Sequence, residues 1–195
     1  MKVRADLEEF VRRFRAVPCG AAVKTDGELD AAISSGVGAV FLLRGDGLEL
    51  APLVRRIHDA DKLAVVHLDL VDGLASDMAG VRWLARCGVD AVISSHGQAV
   101  RAVRAEGLVA IQRLLCVSQM AIELGLTAVS RSQPHLVELL PGIILPEVAD
   151  LVLPRLSVPL LAGGFVRDRE DVRRLIAAGA IGVTTSQAAL WNAAH

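Results

Sequence analysis

Residues 158–186 read VPLLAGGFVRDREDVRRLIAAGAIGVTTS and hold one complete unit of the fold. A short apolar run ends on Gly163-Gly164, a charged stretch with helical periodicity covers Arg169–Ala178 and stops at Gly179, and a second apolar run opens at Gly182. A run with no polar face suits a strand buried on both sides of a parallel sheet, and parallel neighbours need a crossover, usually a helix. Toward the N-terminus the same rhythm returns. Apolar runs begin near Val17 (VPCGAAV), Ala39 (AVFLLRG), Leu63 (LAVVHLD), Asp90 (DAVISS), Val109 (VAIQRL) and Leu136 (LVELLPG), which makes eight in all. Their spacing of roughly two dozen residues is that of an economical βα unit. Helical patterns lie between them over Leu48–Ala60, Ala79–Cys87 and Met120–Ser130, and Gly88 and Gly107 stand, like Gly179, where a left-handed C-cap is expected.

Eight consecutive units without a Gly-x-Gly-x-x-Gly after the first strand favour a compact α/β fold of the (β/α)8 TIM-barrel type over an open doubly wound sheet. The chain has 195 residues, fewer than the roughly 250 typical of such barrels. Short helices are therefore expected, with room for only a small one between Ser94 and Val109. No linker or low-complexity tract divides the chain, so residues 1–195 are expected to form a single domain. Residues 1–16 would be a leading helix that closes the barrel floor or meets a partner, and 17–195 the barrel.

Composition supports a large aliphatic core: 53% of residues are hydrophobic, yet there are only four Phe, two Trp and no Tyr. Mean hydropathy is +0.47. With 21 basic and 22 acidic residues the formal charge is −1, which gives no long-range attraction to nucleic acid or anionic membrane. Cys19, Cys87 and Cys116 form no CxxC and no metal-ligand spacing, and read as reduced thiols of a cytoplasmic protein. The segment bearing Lys2, Arg4, Asp6, Glu8 and Glu9 is too charged for a signal peptide, and no apolar run reaches the roughly 18 residues of a membrane span.

In a barrel, polar residues at the C-terminal ends of strands gather at one mouth. The last two units carry the clearest chemistry there. Gly163 and Gly164 let backbone N–H groups approach an anion, and Thr185 and Ser186 precede a helical tail whose N-terminus would add donors and hydroxyls. A phosphate is expected at Gly163, Gly164, Thr185 and Ser186. Elsewhere at the mouth, alternation puts His67 and Asp69 on one face and Arg113 opposite Gln112. His67, Asp69 and Glu138 could be acid–base groups, metal ligands or hydroxyl-binding groups. Hydroxyl binding is the simplest of these, and no metal or cofactor is expected. Arg113 could pair with Glu138 or Asp69, or assist an anion. Asp72 and Asp77 could instead cap a turn and a helix. His58 and His135 read as solvated positions, and His195 is terminal. Arginines recur on the helices, but no RNP motif, zinc finger or aromatic stacking platform accompanies them.

Several strand-end segments are more particular when read in order. They are FLLRGD (Phe41–Asp46), HLDLVDGLASD (His67–Asp77), AVISSHGQ (Ala91–Gln98), AIQRL (Ala110–Leu114), VELLPGII (Val137–Ile144), PLLAGGFV (Pro159–Val166) and AAGAIGVTTSQAALW (Ala177–Trp191). From about Pro18 to Trp191 the chain resembles the glycerol-3-phosphate-responsive antiterminator family, regulators of glycerol uptake operons. That resemblance implies a non-catalytic barrel that binds glycerol 3-phosphate and, with ligand, binds leader mRNA and prevents premature transcription termination. It implies phosphate at Gly163, Gly164, Thr185 and Ser186, with His67, Asp69 and Glu138 at the glycerol end and Arg113 nearby. The chain departs from the family pattern at Ser118, where an acidic residue is usual, and at His96, where a basic one is usual. A homodimer is one way for a short barrel to present a broad RNA-binding surface.

Two other function classes compete on the residues alone. One is a phosphosugar isomerase, aldolase or phosphodiesterase acting on a glycerol- or triose-phosphate-like substrate, with Asp69 and Glu138 as acid and base. The other is a metabolite-binding module that acts through a protein partner.

Overall fold

In the computed structural model of the chain, which describes residues 6–192, eight parallel strands close into a barrel. Lys2, Arg4, His195 and the first five residues of the leading segment lie outside the described residues. The barrel strands are β1 (Cys19–Val23), β2 (Ala39–Leu42), β3 (Leu63–His67), β4 (Ala91–Ser94), β5 (Val109–Leu115), β6 (Leu136–Leu140), β7 (Leu160–Gly163) and β8 (Gly182–Thr185). Each pairs with the next in sequence, and β8 returns to β1 with Gly20 opposite Thr184. The α/β barrel of TIM type is thus the architecture of the chain.

Eight helices accompany the strands among the described residues: α1 (Leu7–Ala16), α2 (Asp26–Ile33), α3 (Leu50–Asp59), α4 (Met78–Cys87), α5 (Gly97–Ala105), α6 (Gln119–Ser132), α7 (Leu145–Val152) and α8 (Arg169–Ala177). Most are only two to three turns long, which is how the ring fits the short chain. None is long and apolar enough to cross a membrane. Their starts are locally encoded. Thr25 and Glu28 form a full capping box on α2, while Asp77, Ser118 and Asp168 cap α4, α6 and α8 by accepting from backbone N–H groups.

Alternation along the strands sorts the side chains into two layers. One set packs between strands and helices, with Val40, Val66, Val92, Val137 and Ala162 among its members. The other fills the barrel interior, including Ala22, Phe41, Val65, Ile93, Ile111 and Leu161. The floor of that interior is supplied by α1, which inserts Phe10 and Phe14 beneath Phe41. The Phe10 and Phe14 rings stack at 5.2 Å, and Phe14 meets Phe41 edge-on at 6.1 Å. Gly20 and Gly182 leave room for this aromatic plug: a Cβ on Gly20 would lie 2.6 Å from Phe41, and one on Gly182 would collide with Phe14. With the floor sealed, the polar ends of the strands face the opposite mouth.

Candidate ligand-binding site

The centre of the mouth is a buried polar network built on β5, β6 and β8. Arg113 and Glu138 are register partners on adjacent strands. The Arg113 side chain donates from Nε and Nη2 to Glu138 Oε2 at 3.0 and 2.8 Å, and Thr184 Oγ1 donates to Glu138 Oε1 at 2.8 Å. Glu138 is 2% exposed, so these donors take the place of water around its charge. Gly163 is opposite Thr184 in register, and a Cβ there would press to 2.9 Å from Glu138 Oε1 and collide with Thr184 Oγ1. The absent side chain at Gly163 therefore belongs to the network as much as to any anion.

His67 ends β3 on the interior face, in step with Leu63 and Val65. It is 2% exposed, and neither ring nitrogen makes a hydrogen bond among the described residues. Burial first, and the Arg113 charge second, push its pKa down to about 4, so the ring is neutral at pH 7. The sequence placed Asp69 on the same strand face, but strand geometry ends at His67. Leu68–Leu70 form a 3-10 turn, and Asp69 folds over the end of β4. There it accepts from Ser94 Oγ at 2.6 Å and from Ser95 N at 2.7 Å.

The loops after β7 and β8 flank this network. Gly164 has φ +86°, a left-handed conformation that glycine adopts without steric cost, and a Cβ there would lie 2.8 Å from Leu140 Cδ1. Among the described residues the backbone N–H groups of Gly164 and Ser186 donate to no acceptor. Gly142 supports the loop from below, since a Cβ on it would come within 2.7 Å of Gly163 N. Thr185 turns away from the axis. Its Oγ1 donates to Val166 O at 3.0 Å and accepts from Gln187 N at 3.1 Å, so its side chain braces the two loops against each other. Thr184 is the inward residue of the pair, which the sequence reading passed over, although its parity with Gly182 marks the interior face. The helical tail expected after Ser186 is a three-residue 3-10 turn, Ala188–Leu190. The chain folds back there because Leu190 and Trp191 bury their side chains, with Trp191 Nε1 donating to Thr185 O at 2.9 Å.

These loops and strand ends lie within a match to the sequence profile described as glycerol-3-phosphate responsive antiterminator, which spans residues 20–191. The chain belongs to this antiterminator family. Its relatives include the uncharacterized protein YgcP of Escherichia coli K12, 33% identical over 181 residues that cover 92% of this chain and 94% of that one. Among solved structures, the glycerol uptake operon antiterminator regulatory protein of Listeria monocytogenes is 31% identical with a TM-score of 0.84, covering 89% of this chain and 94% of its own. An antiterminator-related protein of Thermotoga maritima is 24% identical with a TM-score of 0.80, covering 89% and 96%. The family is one of regulators.

As an antiterminator-family barrel, the chain splits its polar mouth into two parts. The axial part holds His67, Arg113, Glu138 and Thr184. The other is a lateral cleft of about 450 Å³ between the ends of β1 and β2 and helices α2 and α3, lined by Lys24, Arg44, Asp46, Glu49 and Asp72 among others. A two-strand ribbon pairing Gly45–Asp46 with Val71–Asp72 bounds it. Asp72 thus sits in the ribbon, while Asp77 caps α4 by accepting from Ala79 N and Gly80 N. The departures from the family pattern are both at helix starts. Ser118 accepts from Ala121 N as the cap of α6, a job an acidic residue also performs, and exposed His96 precedes α5. His58 and His135 are not merely solvated: His58 Nε2 pairs with buried Asp90 at 2.8 Å, and His135 Nδ1 accepts from Ala110 N at 3.0 Å. Among the described residues, no group of three His, Cys, Asp or Glu side chains is placed to hold a metal ion.

Proposed function

We propose that the chain is a glycerol 3-phosphate sensor that, with ligand bound, binds the leader mRNA of glycerol-utilisation operons and prevents premature termination. The ligand's phosphate lies between Gly163, Gly164, Thr185 and Ser186, and its glycerol end points toward His67, Asp69, Arg113 and Glu138. The observation that carries the ligand reading is the pair of backbone N–H groups, on Gly164 and Ser186, that donate to no acceptor among the described residues, in the two loops where barrels often hold phosphate. Family membership carries the RNA reading. Both candidate acid–base carboxylates are engaged by internal donors, Asp69 by Ser94 and Ser95 and Glu138 by Arg113 and Thr184, which supports a sensor over a hydrolase or isomerase. Action on a nascent transcript places the work in the cytoplasm.

Gel mobility of a glycerol-operon leader transcript, with and without glycerol 3-phosphate, tests this reading. The expected result is a shift only with ligand, stronger as salt falls because phosphate contacts release counterions. Gly164→Asp should abolish the shift, by setting a carboxylate at the anion site and by pressing a Cβ against Leu140 from a left-handed backbone position. Turnover of glycerol 3-phosphate, or no shift at any salt concentration, would sink the proposal.

A further inference from the structure

Three of the chain's four phenylalanines, Phe10, Phe14 and Phe41, are core residues at most 1% exposed. The fourth, Phe165, directly follows Gly164 in the loop after β7 and is 75% exposed. Its backbone has φ +58°, a left-handed position that a bulky side chain adopts only at a cost. Such strain persists where the surroundings enforce it, and it gathers at binding sites. Here both flanks enforce it. Gly164 lies against Leu140, and Val166 is 3% exposed with its carbonyl accepting from Thr185 Oγ1. Arg167 is tied to Asp171 through its backbone N–H at 3.0 Å and its Nε at 2.9 Å. The loop therefore holds an aromatic ring out in solvent rather than letting it fold onto the apolar core. The exposed residues that follow it are largely basic. The Arg167 side chain is 68% exposed, and that of Arg169, at the start of α8, donates to no acceptor among the described residues. Two of the acids interleaved with them are engaged: Asp168 accepts from Asp171 N as the cap of α8, and Asp171 holds Arg167. Glu170 is the acid of this segment left without a partner among the described residues.

We infer that Phe165 is the stacking platform for one unpaired base of the leader RNA, with Arg167 and Arg169 meeting the phosphates beside that base. This rests on the RNA reading proposed above. Single-stranded RNA is held by exposed rings set among cations, because every base offers a π-face whatever its sequence. A rigid loop suits the task, since a ring already fixed in place loses little freedom when a base settles on it. The same loop supplies a route for ligand dependence. Gly164, whose N–H donates to no acceptor among the described residues, is the residue before the ring. An anion held there adds a further anchor to the backbone that carries Phe165.

Binding of a glycerol-operon leader transcript to the full chain, in the presence of glycerol 3-phosphate, tests the inference through variants at position 165. Phe165→Gly should weaken RNA binding by roughly 5- to 150-fold, the contribution of one stacked base. Its melting temperature should hold or rise, because glycine takes the left-handed position without steric cost. Phe165→Leu, apolar but without a ring face, should lose as much affinity, and Phe165→Trp should bind at least as well as the unaltered protein. Calorimetric affinity for glycerol 3-phosphate should stay within a few-fold in all three, since the side chain points into solvent. A 2-aminopurine placed in the unpaired segments of the transcript should be quenched at one position by the unaltered protein and by Phe165→Trp, but not by Phe165→Gly. Full RNA affinity in Phe165→Gly, or Phe165→Leu binding like the unaltered protein, overturns the inference and leaves the RNA reading standing. A loss of glycerol 3-phosphate affinity as large as the loss of RNA affinity overturns it too, by placing the ring over the ligand. So does a loss of self-association in sedimentation with RNA affinity intact, which assigns the ring to a contact between copies. No ligand-dependent binding of the transcript by the unaltered protein removes the RNA reading, and this inference with it.

Discussion

Glu138 holds a charge inside the barrel because three donors from two strands converge on it. Glu138→Ala should therefore do more than change ligand contacts. It would leave the Arg113 guanidinium, only 14% exposed, without its counter-charge, and removing one partner of a buried ion pair costs roughly 3–5 kcal/mol. Urea denaturation should show a loss of that order, and Glu138→Gln, which keeps an acceptor for Thr184, a smaller one. His67 gives a pH prediction at the same scale. Folded, its pKa is about 4; unfolded, a histidine titrates near 6.5. Between those values the unfolded chain binds the extra proton, so this residue's effect is to lower stability as pH falls from about 6.5 to about 4. The difference in unfolding free energy between the unaltered protein and His67→Leu should change across that window and be flat above it; a flat difference throughout would mean that His67 is not held neutral by the fold. Much of this chemistry was legible in advance. Strand alternation put Arg113 and Gln112 on opposite faces, and Gln112 indeed meets Ser132 on the helix side. Alternation misled at Asp69 because a period of two holds only while the chain stays extended, and the chain turns just after His67.

Helix α1 belongs to no βα unit, yet it completes the interior. The Phe14 ring is 1% exposed and fills a space that Gly20 and Gly182 leave open. Truncating such a ring in Phe14→Ala should cost roughly 3–5 kcal/mol, read as a lowered denaturation midpoint with cooperativity retained. Ligand affinity at the far mouth should stay unchanged; a large loss would mean that the floor governs the site. The repeating elements were readable because each strand and helix start is written locally, in apolar runs, caps and glycine stops. The plug was not readable in detail. Phe14, Phe41 and Gly182 are distant in sequence, and only ring closure brings them together. The same holds for the end of the chain, where a helical tail looked natural until burial of Leu190 and Trp191 favoured a short turn.

Across the whole molecule the two ends of the barrel are separated by layers of aliphatic side chains. From Leu63 near the floor to His67 at the mouth, β3 rises about 13 Å at the usual strand spacing. Substitutions that far apart with no shared partner combine additively to within about 0.5 kcal/mol. The double variant Phe14→Ala/His67→Leu should accordingly show the sum of the two stability changes and the ligand affinity of His67→Leu alone. Denaturation of the four proteins in that cycle measures the coupling, and a coupling well above that limit would show that the mouth and floor respond as one unit. Trp191 adds a practical consequence. Its indole N–H is held by the carbonyl of Thr185, the residue before Ser186, and Trp83, bonded to Gly47 O, is the one other indole in the chain. The protein therefore carries its own optical probe: a Trp83→Phe variant would leave a single fluorophore whose emission follows the β8 loop as the site fills, without a label.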